Sequence, residues 1–345
     1  MQSFLSGCEA MREEFKKSLE KYIQRKRLYT VDMLLKVLQD LSPTQGYSSC
    51  LALNDVKGTK CSFSCFRAKF PGHEFKTFFE NMANFIETQD LFPQQRIFCV
   101  DGSKIPLPNV FEEEGFTFRN NANSVFASLC TIVESTTKIP IVMSINKDGD
   151  ERKHFLEALT TYRSKFTATD IFVCDSGYYS FELCSFIQQE HLNAVFRVTT
   201  ALKCVKQCEE LEGCDKIVEI YNKTQKMTLR LIKYKIENKD YYLLTTLLDQ
   251  NKYTTSQFID MYRSRWNIET FFRLVKGTGF LEDIHCTKEN TLQQELYLSF
   301  VQAQISLAIS AYGQRTLIPT TNDNNIKTKC NDVVLLNYVK KTSMT

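Results

Sequence analysis

After Pro93 the chain sets down three apolar, strand-like runs before any helix, and this order limits the fold more than any other feature. The runs are "RIFCVDG", "NSVFASLCTIVES" and "IPIVMSI", followed by a helical "HFLEALTTYR". Then "DIFVCDSGYY", the helical "FELCSFIQQEH" and "AVFRV" alternate strand, helix and strand. Consecutive strands pair antiparallel, whereas a helical crossover brings the next strand in parallel. The pattern therefore predicts an α/β fold, a mixed sheet flanked by helices. Over about residues 197–250 the chain returns to alternating runs, "KIVEIYN", "MTLRLIKYKI" and "YYLLTTL", with turn signals at Asn222-Lys223 and Glu237-Asn238-Lys239. These read as an inserted antiparallel β unit.

The flanks have a different texture. Upstream, Phe15, Leu19, Tyr22 and Ile23, then Met33, Leu34, Val37 and Leu38, recur at helical spacing until Ser42-Pro43 stops them. "CSFSCFRAKF" and "EFKTFFENMANF" add two helical patterns on either side of Pro71-Gly72. Residues 1–92 thus read as a small helical domain and 93–312 as the sheet domain, ending in an amphipathic helix, "LQQELYLSFVQAQISLAISAYG". Residues 313–345 read as a polar tail. No apolar run approaches the ~18 residues of a membrane span, and the N-terminus has no apolar signal segment, so the expectation is a protein with no membrane partner. Thirteen Cys, an odd number with no CxxC pair, are expected to be reduced intracellular thiols. The clusters Cys61/Cys65 and Cys204/Cys208/Cys214 have no His close enough in sequence to suggest a zinc module.

Two of the strand runs end in an acid. "RIFCVDGS" delivers Asp101 and "DIFVCDSGYYS" delivers Asp175, each followed within two residues by Gly. An acid so placed lies at the sheet rim, where open α/β sheets carry their chemistry, although a single Asp there is more often a turn former or helix cap. A third acid comes from "YRSRWNIETFFRLVKGTGF". At about 100° per residue Tyr262, Arg265, Glu269 and Lys276 share an arc of roughly 60° on one helix. Ile268, Phe271, Phe272 and Val275 should bury that helix against the sheet, pointing the polar stripe along the boundary. The helix is expected to start after Thr254-Thr255 and to stop at Gly277.

Three carboxylates converging at a rim would hold two divalent cations suited to in-line attack on a phosphodiester. Oxygen ligands favour Mg2+ or Mn2+ over zinc. An Arg and a Lys beside a metal-binding Glu suit phosphates passing along the helix, with Tyr262 giving a hydroxyl or a stacking face. The plainer alternative is an exposed face laced with i,i+4 pairs, Arg265 to Glu269 and Glu269 to Arg273. The net charge of only +3 requires any polyanion site to be local.

The spacing Tyr262-x2-Arg265-x3-Glu269-x6-Lys276 resembles the Y-R-E-K signature of the insertion-sequence-four family of DDE transposases. "YYLLTTLLD", "VCDSGYYS" and "FCVDGSKIPLP" are similar to that family's strand before the helix and to its second and first Asp motifs. The resemblance covers about residues 93–312. It implies a ribonuclease-H-like core with a β insertion between the second Asp and the Glu. It further implies Asp101, Asp175 and Glu269 as a catalytic triad holding two Mg2+ (or Mn2+) ions, with Tyr262, Arg265 and Lys276 gripping double-stranded DNA near the cut end. A homodimer in the DNA complex, cut-and-paste chemistry by hydrolysis and strand transfer, and an intracellular location with the DNA follow from it. Where such families capture a flipped base on a Trp of the β insertion, this chain has its only Trp at 266, leaving Tyr221, Tyr234, Tyr241 or Tyr242 for that role.

In this context residues 1–92, with 13 Lys/Arg against 11 Asp/Glu, would bind element ends, with Arg25-Lys26-Arg27 as the dense cluster and "SFSCFRAKF" as a recognition helix presenting Arg67 and Lys69. Two alternatives stand beside the transposase reading. One is a nuclease of the same fold that does not join ends, and the other a host-adopted, catalytically silent DNA-binding protein.

Overall fold

The computed structural model describes residues 1–24, 28–119, 124–208, 214–223, 225–279, 281–316 and 331–342. The Arg25-Lys26-Arg27 cluster lies outside them. Five helices come first: α1 (Gln2–Glu20), α2 (Val31–Asp40), α3 (Tyr47–Leu53), α4 (Lys60–Arg67) and α5 (Gly72–Glu87). Then follow β1 (Ile97–Leu107), β2 (Phe118–Arg119), β3 (Ser124–Glu134), β4 (Pro140–Asn146), α6 (Glu151–Thr161), β5 (Ile171–Cys174), α7 (Phe181–Gln189), β6 (Asn193–Val198) and a single turn, α8 (Lys203–Lys206). The chain continues through β7 (Cys214–Asn222), β8 (Gln225–Ile236), β9 (Lys239–Thr245), α9 (Thr255–Ser264), α10 (Trp266–Gly277), α11 (Glu289–Thr316) and α12 (Asp332–Thr342).

Among the described residues nine strands share one sheet, in the order β2-β3-β1-β5-β6-β9-β8-β7, with β4 also on β3. β1 is antiparallel to β3 and parallel to β5, and β5 is parallel to β6, as the strand and helix order requires. The mixed α/β sheet flanked by helices is thus the expected class. The inserted strands extend the main sheet: β9 pairs antiparallel with β6, then β8 and β7 continue outward. β3 is buried along almost its whole length, which explains its unbroken apolar run.

Helices cover both faces. On one, Phe98 and Phe172 of neighbouring strands stack under Phe155 of α6 and Phe166. On the other, Ile171, Val173 and Val195 pack with Phe258 and Met261 of α9. Arg96 clamps the base of the sheet, reaching Asp170 with two nitrogens (2.9 and 2.6 Å) and Glu87 at 2.8 Å.

Helix α11 departs from the amphipathic expectation. It is buried on several faces, because α5 covers one side and the sheet another. Two of its buried glutamines bond neighbouring backbone: Gln304 donates to the carbonyl of Pro140 (2.9 Å) and Gln294 to that of Phe70 (2.6 Å), while the Gln302 amide nitrogen and the Ser306 hydroxyl have no partner among the described residues. The N-terminal helices belong to the same continuous core as the sheet. Within the expected polar tail, α12 packs on α11 through buried Leu336 and Val339 and is tied down by Lys138 to Asp332 at 2.5 Å. No described helix is long and apolar enough to cross a membrane.

Candidate active site

The register of the parallel strands builds the site. Val100 of β1 is level with Cys174 of β5, which is level with Phe196 of β6. Asp101 and Arg197 are the next residues on β1 and β6, and Asp175 follows directly where β5 ends, 3.9 Å from Arg197. β1 does not end at Asp101 as the sequence reading has it. It runs on to Leu107, held by β3, and only its pairing with β5 stops. The acids sit where the β1–β5 pairing stops, Asp175 the more open and Asp101 the more buried of the two.

Alternation turns Cys99 and Asp101 toward one face, and α9 and α10 cross that face. Thr254 caps α9 with a reciprocal capping box to Gln257, as its position predicts. Its start is fixed by Asp215, which takes Arg230 at 2.6 Å and the Thr255 hydroxyl at 3.0 Å, while Arg230 also donates to the carbonyl of Tyr253 at 2.9 Å. The expected single helix is interrupted at Arg265. Ser264 turns its hydroxyl onto the carbonyl of Met261 (2.6 Å), so the Arg265 amide bonds one residue nearer, to Tyr262 (3.1 Å). The freed carbonyl of Ser264 accepts from the Cys99 thiol at 3.2 Å, which pins the break against β1 next to Asp101.

Two of the four stripe residues meet the aspartates, and Glu269 joins them through Arg265. Tyr262 donates its hydroxyl to Asp175 at 3.0 Å. Arg265, partly buried, donates to Glu269 at 2.6 Å and lies 3.8 Å from Asp101. Its i,i+4 pair with Glu269 is the plainer alternative realised, but facing the acids instead of solvent. Lys276 is placed elsewhere, on the carbonyl of Lys104 (3.2 Å) and on Glu282 (2.7 Å), fastening the far end of α10 to β1. Trp266 is 64% exposed beside this site, with the Arg265 guanidinium 5.8 Å from its ring. Of the four tyrosines considered for base stacking, Tyr234 and Tyr242 are buried and Tyr221 is 63% exposed at the outer end of the insertion.

Two further residues escaped the sequence reading. Arg197 lies 3.9 Å from Asp175 and over the ring of Tyr241. The signal was present, since "AVFRV" ends its apolar run on a charge just as the two Asp strands do. Glu151, the first residue of α6, covers the α-carbon of Gly102 so closely that a Cβ there would lie 2.9 Å from its carboxylate. No sequence spacing announces that approach.

Burial pushes the Asp101 carboxyl up to about 6, with Arg265 opposing and Glu151 and Asp175 reinforcing the rise. Its folded pKa lies above its unfolded value, so the folded metal-free protein holds the proton more tightly. That stability is fully present below about pH 4 and is lost as pH rises through about 6. Asp101→Asn, neutral throughout, is expected to gain about 2–3 kcal/mol on the wild type as pH rises across these limits, in urea melts with chelator present. Parallel pH curves for the two proteins would overturn the assignment.

The donors gathered here are carboxylate oxygens, which fit a hard divalent cation in kind. Among the described residues no three donors are grouped to hold a metal ion, and the Arg265 guanidinium lies against Asp101 and Glu269.

A mixed sheet whose central parallel pairing stops at two aspartates, with a Glu-bearing helix across them, defines a ribonuclease-H-like protein. The chain belongs to the transposase DDE domain family, whose profile matches residues 92–302. Among solved structures it is similar to the piggyBac transposase synaptic complex with hairpin DNA, determined by cryo-EM, at 12% identity and a TM-score of 0.52. That match covers 99% of this chain and 80% of the other, and it bears on the fold alone. No curated protein matches the chain.

Proposed function

We propose that this protein is a cut-and-paste DNA transposase of the insertion-sequence-four type, acting as a homodimer on double-stranded element ends and on target DNA, wherever the cell keeps that DNA. The observation that carries the reading is the placement of Asp101 and Asp175 where the β1–β5 pairing stops, crossed by the α9–α10 pair that brings Arg265 to the first and Tyr262 to the second. Asp101, Asp175 and Glu269 would hold two Mg2+ or Mn2+ ions, which when bound supply an activated water or hydroxyl and charge relief at the leaving oxygen.

The chain's own residues prepare this. Tyr262 fixes the rotamer of Asp175. Arg265 keeps Asp101 and Glu269 from repelling each other and, once it releases Glu269, presents a planar guanidinium to a DNA phosphate. Arg197 offers a second guanidinium on the other side of Asp175. Lys276 holds α10 in place and adds positive charge where the backbone would leave the site. Residues 1–92 would serve end recognition, but not through Arg67, which is buried in contacts to α11.

The test is cleavage and joining of labelled DNA carrying the flanking repeats, in magnesium, manganese or chelator, with Asp175→Ala as control. Metal-dependent cutting with joined products, absent from the variant, is the expected result. Cutting without joining favours the nuclease, and specific binding without cutting the silent DNA-binding protein. Arg265→Ala is expected to weaken end binding and to flatten the slope of log K against log salt by about 0.9, the loss of one phosphate contact. An unchanged slope would remove Arg265 from the DNA-binding set.

A further inference from the structure

We propose that Cys208 and Cys214 form an oxidisable dithiol, a redox modification site that exchanges with low-molecular-weight disulfides and clips α8 to the edge strand β7. Their sulfurs lie 2.7 Å apart, both side chains buried, within about 0.7 Å of a disulfide bond length. The backbone already fixes both ends. Cys208 closes the α8 turn through its amide to the carbonyl of Val205 (2.8 Å), and Cys214 opens β7 level with Lys233 of β8. The other use of such a pair, metal ligation, lacks support, since no third donor joins them among the described residues. Cys204, one helical turn before Cys208 and only half-buried, is the competing partner.

The exchange balances without any further reagent. One thiolate attacks a sulfur of oxidised glutathione and expels one glutathione thiolate. The second protein thiolate attacks the mixed disulfide and expels the other, so two protein thiols become one disulfide and one disulfide becomes two thiols. Burial and the neighbouring Cys208 push the Cys214 thiol up, which slows its attack as a thiolate. The consequence is mechanical. Cys214 directly precedes Asp215, which holds Arg230 and Thr255 and so anchors the start of α9. Closing the bond would stiffen the support of the helix pair carrying Tyr262, Arg265 and Glu269.

The test is to equilibrate the full chain in a series of oxidised-to-reduced glutathione ratios, alkylate, and map the peptides. One tryptic peptide, from Gln207 to Lys216, contains both cysteines. It should become lighter by two hydrogens and resist alkylation in wild type and in Cys204→Ser, but not in Cys208→Ser or Cys214→Ser. Oxidised wild type should also melt about 2–4 °C higher than reduced protein, a difference lost in the latter two variants. Full alkylation of both thiols at the most oxidising ratio, or a bond joining Cys204 to either, overturns the proposal. The wild-type and Cys204→Ser measurements decide it even if the other variants fail to fold.

Discussion

Glu269→Gln is expected to abolish metal-dependent cutting, by on the order of 10³-fold or more, while leaving DNA binding nearly intact. Gln has the shape of Glu and its carbonyl oxygen can still accept from Arg265 across the 2.6 Å contact, so the turn of helix around it should persist. What is lost is negative charge, and with it one of three anionic ligands for a divalent cation. The comparison needs three readouts: single-turnover cleavage with Mg2+, binding to end DNA in chelator, and melting temperature. Retained cleavage within tenfold of wild type would remove Glu269 from the catalytic set. Lost cleavage together with lost binding and a lowered melting temperature would mark it as a structural partner of Arg265.

The second large effect concerns stability. Arg67→Ala is expected to cost about 3–5 kcal/mol in urea unfolding, because it leaves a buried carboxylate without its counter-charge. Arg67 is 2% exposed and donates to Glu295 at 2.8 Å, to Gln294 at 2.7 Å, and to the Tyr47 hydroxyl and the Thr291 carbonyl. It joins α4 to α3 and α11 in one polar knot. Replacing both charges, as Arg67→Met with Glu295→Leu, should recover most of the loss, since a well-packed apolar pair carries no desolvation cost. A loss below about 1 kcal/mol for Arg67→Ala would return the residue to the surface role that its sequence context suggests.

Arg67 also shows where a linear reading runs out. "SFSCFRAKF" has the composition of an exposed recognition helix. Its Arg is buried because Glu295, 228 positions later, lies opposite. Lys276 is the milder case: its helical phase was legible, but the Lys104 carbonyl and Glu282 that hold its ammonium were not. The interruption at Arg265 had a local cause, the Ser264 hydroxyl, which competes with the helix for a carbonyl. Only the Cys99 thiol on β1 accounts for the carbonyl that the interruption frees.

What the sequence determined by itself was periodicity and order. Alternating runs define strands and apolar stripes define helices. Three strands before the first helix, then helix and strand in turn, leave few topologies besides this mixed sheet. The same logic placed Asp101 and Asp175 at the ends of apolar runs and put Tyr262, Arg265 and Glu269 on one face of a helix. Tertiary structure alone decided which of these meet. The parallel register of β5 and β6 put Arg197 3.9 Å from Asp175. The β1–β5 pairing stopped at the two aspartates, and Arg265 became the cation shared by Asp101 and Glu269. Proximity between distant segments depends on strand register and on which face each helix covers, and those are settled by packing of the whole core.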